Sequence, residues 1–171
     1  MINEERVDVV NEDDEIIGTV SKEKAHTDGL LHRTVIAEII GTDGKWTLVK
    51  QSSDRQDAGQ FVSPVGGHVR SGESEEDALK REAYEEYGLD GKIIFQYIGK
   101  KIFNREVKGR KENHYFIFYK IYSDKKPILN EESVGFERFS EEQLCIEIKE
   151  NPKKFGDAFH FVIKAFYPKL I

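Results

Sequence analysis

The chain has 171 residues, of which 38% are hydrophobic and 34% are charged, and this composition excludes an intrinsically disordered protein. The length fits one domain, residues 1–171, with a hydrophobic core of its own. The net charge of −6 argues against a general nucleic-acid binder, because such proteins depend on basic contacts to phosphates.

Three further features bear on the compartment in which the protein works. The single cysteine, Cys145, excludes an internal disulfide and favours a reducing compartment. The N-terminal stretch Met1–Glu15 is acidic and lacks the apolar segment of a signal peptide. No apolar run approaches the length of a membrane span. We therefore expect a cytoplasmic protein with neither a membrane nor a nucleic-acid partner.

Four β-rich runs separated by turn residues predict strands in the first third of the chain: Arg6–Val10, Glu15–Val20, Thr34–Ile40 and Lys45–Gln51. Ser21 is placed to cap a short helical turn that runs from Lys22 toward His26. The polar, glycine-bearing stretch from Ser52 to Gly67 is expected to form a loop.

The rest of the chain predicts three helices and three more strands. A helix is expected from about Glu75 to Tyr87, because Ser74 can cap its first turn and Gly88 can end it. The strands, of which the first two flank a basic tip, are Lys92–Phe103, His114–Tyr122 and Gly135–Ser140. The two C-terminal helices run from a Ser140 cap to about Lys149 and over Asp157–Tyr167. This order predicts an α/β sandwich with a mixed sheet.

The central helix crowds three carboxylates onto one face, since residues three and four apart on a helix are neighbours: Glu82, Glu85 and Glu86. Like charges this close repel by a few tenths of a kcal/mol per pair. A divalent cation reverses that cost, and Mg²⁺ prefers such oxygen ligands and often shares its shell with substrate phosphates. The patch therefore predicts a site for a metal ion and a diphosphate. Taken alone, the run "REAYEE" would equally fit a solvated helix face.

The spacing around the patch resembles the Nudix box. Gly67 is followed after five residues by Glu73 and after seven more by Arg81–Glu82, and the motif ends at Leu89 with every glycine, glutamate and arginine in place. The one departure is Ala83, which is small where a larger aliphatic residue is usual. The resemblance implies a Nudix-type α/β/α sandwich with a mixed β-sheet. It also implies metal-dependent hydrolysis of a nucleoside diphosphate linked to another group, with Mg²⁺ or Mn²⁺ as cofactor.

The same resemblance implies roles for individual residues. The metal ligands would be the box carboxylates and one backbone carbonyl: Glu82, Glu85, Glu86 and Gly66. One carboxylate, most often Glu82, would serve as the base for the attacking water. Glu73 would pair with Arg81 and hold the preceding loop on the helix.

A second resemblance, to the isopentenyl-diphosphate isomerase branch of the Nudix superfamily, runs from about Asp8 to Glu86. It rests on the stretches "AHTDGLLHRT" and "GGHV". Isomerases of that type hold a metal with three histidines and two glutamates. The corresponding positions, with a histidine in place of the second glutamate, are His26, His32, His68, Glu112 and His114. Histidine suits Mn²⁺ or Zn²⁺. Each histidine could instead have a local structural role, such as ending a helix or bracing a turn.

These resemblances leave three candidate functions in order of preference. The first is a pyrophosphohydrolase that acts on a small nucleotide-like diphosphate. The second is isopentenyl-diphosphate isomerase activity, which needs a cysteine where this chain has Gly66, and Cys145 lies in a helix far along the chain. The third is a non-catalytic diphosphate-binding module, although such modules usually lose box carboxylates and none is lost here. A homodimer is common in this superfamily.

Several residues outside the box are secondary candidates. Arg33 and Lys50 are expected to meet substrate phosphates, because basic side chains bind phosphate oxygens. Glu137 lies where many Nudix enzymes supply a further acid. Trp46 and Cys145 are expected to pack in the core.

Overall fold

In the computed structural model, which describes residues 4–171, nine strands form one mixed sheet. The strands are β1 Arg6–Val10, β2 Ile16–Ser21, β3 His32–Ile40, β4 Trp46–Gln51, β5 Phe61–Val62, β6 Val65–His68, β7 Ile94–Val107, β8 Arg110–Tyr122 and β9 Ser133–Phe139. The helices are α1 Lys22–Asp28, α2 Glu75–Glu82, α3 Glu141–Glu150 and α4 Asp157–Phe166. A π-helical turn, Ala83–Tyr87, continues α2. Within residues 4–171, no helix combines the length and apolarity that a bilayer crossing requires.

Strand β3 is the organising element of the sheet. It pairs in parallel with β8 along its whole length, from His32 opposite His114 to Ile40 opposite Tyr122. On its other edge it pairs antiparallel with β6, where Thr34 lies opposite His68, and with β1 and β4. Strands β7 and β8 form a long antiparallel hairpin. This register places three histidines side by side at one end of β3.

Alternate residues of β3 face opposite sides of the sheet, as the pleat requires, and each side is covered by a helix. One face packs against α2 and its π-turn through a buried apolar set: Val35, Ala37, Ile39, Ile117, Leu79, Ala83 and Tyr87. The other face packs against α4 through Ile36, Phe116, Phe118 and Val162. A third cluster joins β4 and β9 to the C-terminal helices, with Trp46 fully buried and Cys145 packed at its edge. The α/β/α sandwich predicted from the sequence is confirmed.

The helix caps and most strand bounds agree with the sequence, and the exceptions lie in the connecting segments. Ser21, Ser74 and Ser140 cap α1, α2 and α3 as expected. The predicted loop from Ser52 to Gly67 is wrong in its second half, because short strands β5 and β6 form there against β4 and β3. The basic tip also contributes to the sheet, since β7 and β8 continue through it to a tight turn.

One carboxyl group is buried in the core of β3. Glu38 is fully inaccessible to solvent, and its Oε1 accepts a hydrogen bond from the Ser63 hydroxyl. Its Oε2 has no hydrogen-bond partner among residues 4–171. Burial raises the pKa of Glu38 to about 8, against the opposing effect of the Ser63 hydroxyl. The native protein therefore holds a proton here that the unfolded chain releases above pH 4.5.

This proton makes a testable contribution to the pH dependence of stability. A raised native pKa favours the folded state at low pH, and the advantage is lost as the pH rises toward 8. The free energy of unfolding of Glu38→Gln should therefore rise relative to that of the wild type by up to about 1.4 kcal/mol for each pH unit between about pH 5 and pH 8. Urea unfolding at several pH values measures this difference in the free energy of unfolding. The exposed Glu150→Gln is the control, and parallel curves for wild type and Glu38→Gln would contradict the prediction.

Candidate active site and metal centre

A cavity of about 180 Å³ lies where β3, β6 and β8 meet the loop that precedes β9. Its wall combines carboxylates, histidines and arginines, among them Glu86, Glu132, His68, His114, Arg105 and Arg110. The backbone of Gly66 and Gly67 on β6 forms part of the same wall. The predicted box and the predicted histidine positions are therefore neighbours in space.

Two box carboxylates lie against the glycines of β6. The Gly66 N–H donates a 2.8 Å hydrogen bond to Glu86 Oε2. The Glu82 carboxylate lies so close to Gly67 that a Cβ there would be only 2.1 Å from it. Glycine at this position is what allows the helix to place Glu82 on the strand backbone. Glu85, by contrast, is exposed, so the three glutamates do not share one environment.

Burial makes both inner carboxylates reluctant to ionise. It raises the pKa of Glu82 to about 7, although the neighbouring Arg81 opposes the rise. Burial and the adjacent Glu82 carboxylate raise the pKa of Glu86 well above its ordinary range. A cation beside these oxygens would favour their charged form. Hard carboxylate oxygens together with a backbone carbonyl match the ligand preference of Mg²⁺.

Arg81 holds the loop, the helix and the carboxylates together. Its guanidinium donates to both oxygens of Glu73 at 2.8 and 3.0 Å, so the predicted ion pair is present. It also donates to the His68 carbonyl at 2.9 Å and to Glu82 Oε1 at 2.6 Å. The glutamates beside it raise the pKa of Arg81, which therefore remains charged. Arg81 is a positioning residue for Glu82.

Four of the predicted histidines converge on one point beside the cavity. Their nearest ring nitrogens all lie within 4.8 Å of one another: His26, His32, His68 and His114. The Nε2 atom of His26 is 3.2 Å from that of His68 and 3.3 Å from that of His114. Ligand atoms about 2.0–2.1 Å from a tetrahedral ion are separated by about 3.3 Å. The two short separations fit ligands of one metal ion, whereas the four nitrogens as a set lie only within 4.8 Å of one another.

The protonation of the cluster also fits a metal ion. His32 Nδ1 is 2.7 Å from the Leu30 carbonyl, so it must carry the proton, and its Nε2 is a buried lone pair without a partner in the described chain. Burial and the Arg110 charge lower the pKa of His26 to about 3. Burial and the neighbouring rings lower the pKa of His68 and His114 well below the ordinary value. Neutral imidazole is the form that binds metals.

Three predicted site residues do not take the positions predicted for them, although Glu112 lines the cavity. Glu112 is outside the histidine cluster, because its Oε2 accepts a 2.7 Å bond from Arg105. Arg33 does not line the cavity, because its guanidinium is paired with Asp14 at 2.7 Å. Lys50 is exposed and does not line the cavity either, because Val49 and Gln51 on each side of it face that way and the pleat turns Lys50 outward.

Sequence reasoning missed two features of the cavity wall. Glu137 is exposed, and the acid beside the box is instead Glu132, whose charge helps to raise the pKa of Glu86. Asn130 anchors the same loop by donating to the Glu85 carbonyl at 3.2 Å. Arg105 and Arg110 come from the predicted basic tip, which gave no signal of a pocket beyond its charge.

The close approach of Glu82 to β6 predicts a difference between neighbouring glycines. Gly67→Ala should destabilise the protein by about 1–3 kcal/mol, because the new Cβ displaces the Glu82 carboxylate from its hydrogen bond with the charged Arg81. Gly66→Ala is the control, since its Cβ would meet only the Val35 carbonyl at 3.8 Å. Urea unfolding compares the two, and equal stabilities would show that Glu82 does not pack on Gly67.

Comparisons with known proteins agree with this geometry. The family model of the NUDIX domain matches residues 30–159. The chain is 30% identical over 164 residues to an isopentenyl-diphosphate Delta-isomerase of Serratia proteamaculans, covering 94% of this chain and 90% of that protein. It is 27% identical over 171 residues to a Nudix hydrolase of Deinococcus radiodurans, covering 96% of each.

A solved structure shares the fold. The crystal structure of DR0079 from Deinococcus radiodurans superposes with a TM-score of 0.73 at 24% identity, covering 94% of this chain and 98% of the other. The mixed sheet between helices and the matched domain lead to the same assignment. The chain belongs to the Nudix hydrolase superfamily.

Proposed function

We propose that the chain is a Mg²⁺- or Mn²⁺-dependent pyrophosphohydrolase that cleaves the diphosphate linkage of a small, nucleotide-like or other organic diphosphate. The observation that carries this proposal is the pair of carboxylates, buried Glu82 and half-buried Glu86, held against Gly67 and Gly66 beside the cavity. The family match supports hydrolysis in general. We further propose that the enzyme is cytoplasmic and forms a homodimer.

The chain's own groups support attack of water on phosphorus. Glu82, Glu85, Glu86 and the Gly66 carbonyl would hold the ion, which when bound polarises a phosphoryl group and activates water. Glu82 would accept the proton of the attacking water as a general base, because the ion beside it would keep the carboxylate in its charged form. Arg81 fixes the direction of the Glu82 carboxylate, and the Gly66 N–H fixes that of Glu86.

Isopentenyl-diphosphate isomerase activity is the second candidate, favoured by the histidine cluster and by the relative of that name. Proton transfer at carbon would need a thiol where this chain has Gly66, and Cys145 packs beside the core of the C-terminal helices. A panel of nucleoside diphosphates, nucleotide sugars and isopentenyl diphosphate discriminates the candidates. Release of phosphate or nucleoside monophosphate supports hydrolysis, and dimethylallyl diphosphate supports isomerisation. Binding without turnover supports a non-catalytic module.

We also propose that the four histidines hold a second metal ion, Mn²⁺ or Zn²⁺. Support comes from the 3.2 and 3.3 Å separations of Nε2 atoms and from the unpartnered, buried Nε2 of His32. Four neutral nitrogen donors favour a borderline ion over Mg²⁺, which prefers oxygen. The two metal sites would therefore differ in chemistry.

The carboxylate site predicts a metal-dependent loss of turnover. Glu86→Gln should lower Mg²⁺-dependent phosphate release by at least about 100-fold, because a metal ligand exceeds the 10- to 100-fold effect of outer-shell groups. The exposed Glu76→Gln on the same helix should retain activity. Steady-state release from a substrate of the panel is measured, and undiminished turnover by Glu86→Gln removes the assignment.

The histidine site predicts a separable loss of metal binding. His68→Asn should weaken Zn²⁺ or Co²⁺ binding at least about 10-fold, as measured by calorimetry and by the visible absorption of Co²⁺. His160→Asn is the matched control, because the fifth histidine bonds the Pro152 carbonyl away from the cluster. Equal affinities of both variants would refute a histidine-bound metal.

A further inference from the structure

Two arginines line the cavity, and they differ in how their donors are used. Arg105 donates to both oxygens of Asp57 at 2.8 and 3.0 Å and to Glu112 Oε2 at 2.7 Å. Its charge is balanced by these two carboxylates. Arg105 is therefore committed to holding the cavity wall together.

Arg110 makes fewer hydrogen bonds to side chains than Arg105 does. Its Nη2 lies 3.1 Å from His26 Nε2, and within residues 4–171 this is the one hydrogen bond that Arg110 makes to another side chain. Its Nε is buried yet has no hydrogen-bond partner there. It forms an ion pair with Glu112 Oε1 at 3.5 Å, and the other oxygen of that carboxylate accepts a hydrogen bond from Arg105. Arg110 thus lines the cavity with this hydrogen bond to His26 and one longer ion pair, with Glu112, whereas Arg105 makes three short hydrogen bonds to carboxylates.

The charge of Arg110 is only partly compensated. Arg105 lies nearby with the same charge, and the two arginines share the Glu112 carboxylate. The same wall carries Glu86 and Glu132, which would repel an anionic ligand. An anion entering this cavity therefore needs a local cationic donor, and arginine binds phosphate oxygens with paired N–H groups.

We propose that Arg110 binds phosphate oxygens of the diphosphate substrate, next to the histidine cluster. The inference rests on the proposed function for the identity of the ligand. It replaces Arg33 and Lys50 in the role that sequence reasoning gave them. Arg105 positions the shared carboxylate, because Glu112 Oε2 accepts its hydrogen bond while Oε1 pairs with Arg110.

The test measures binding of methylenediphosphonate, a non-hydrolysable diphosphate, to the full chain by calorimetry at a fixed Mg²⁺ concentration. Arg110→Met should bind about 10- to 100-fold more weakly than wild type, the usual effect of losing hydrogen bonds to a charged group. Arg110→Lys should fall between them, because it keeps the charge and loses the paired donors. Arg138→Met is the control, since Arg138 pairs with Asp43 at 2.8 Å and does not line the cavity.

Several results would overturn the proposal. One is wild-type protein that does not bind methylenediphosphonate, and another is Arg110 variants that bind within about two-fold of wild type. A third is an Arg110 variant whose Zn²⁺ affinity changes while its affinity for methylenediphosphonate does not, because Arg110 would then act only through His26. If Arg110→Met does not fold, the Arg110→Lys result decides. Wild-type turnover is measured separately. If the wild type hydrolyses no substrate but Arg110→Met still binds methylenediphosphonate more weakly, the role of Arg110 in binding is supported and the hydrolase function is rejected.

Discussion

The contact between the Glu82 carboxylate and the backbone of Gly67 is the constraint on which the site depends. A helix can bring a charged side chain this close to a strand only where the strand has no Cβ, and the sequence supplies glycine there. Arg81 then fixes the carboxylate by bonding Glu73, Glu82 and the strand carbonyl of His68. The glycines, the arginine and the glutamates of the box thus pack against one another and together hold the helix on strand β6.

The histidine cluster depends on a different constraint, the parallel register of β3 and β8. That register sets His32 opposite His114, while the antiparallel pairing of β6 brings His68 alongside. Helix α1 adds His26 from above the sheet. Each histidine alone has an ordinary local explanation, and only the strand order makes them a site. His68 and His114 of this cluster consequently share one cavity wall with Glu86 of the box.

Much of the fold follows from local sequence signals, and the cavity wall does not. The serine caps, the glycine at the end of the π-turn and the alternating apolar strands are short-range features, so Ser74, Ser140 and Gly88 could be placed in advance. The motif spacing likewise located Glu73 and Arg81. Strands β5 and β6 are too short for a period to emerge. Glu132 and Arg110 come to the cavity through tertiary pairing, which one sequence does not reveal.

The β7–β8 hairpin supplies Arg105, Arg110, Glu112 and His114, whereas the box supplies Glu82 and Glu86. The box carboxylates and the arginines of the cavity wall therefore lie on separate segments of the chain. The hairpin turns at Lys108–Gly109, beyond the contacts that anchor α2. Exchanging the outer half of this hairpin would change the side chains that line the cavity while leaving the box carboxylates in place, so the lining and the box could be altered independently.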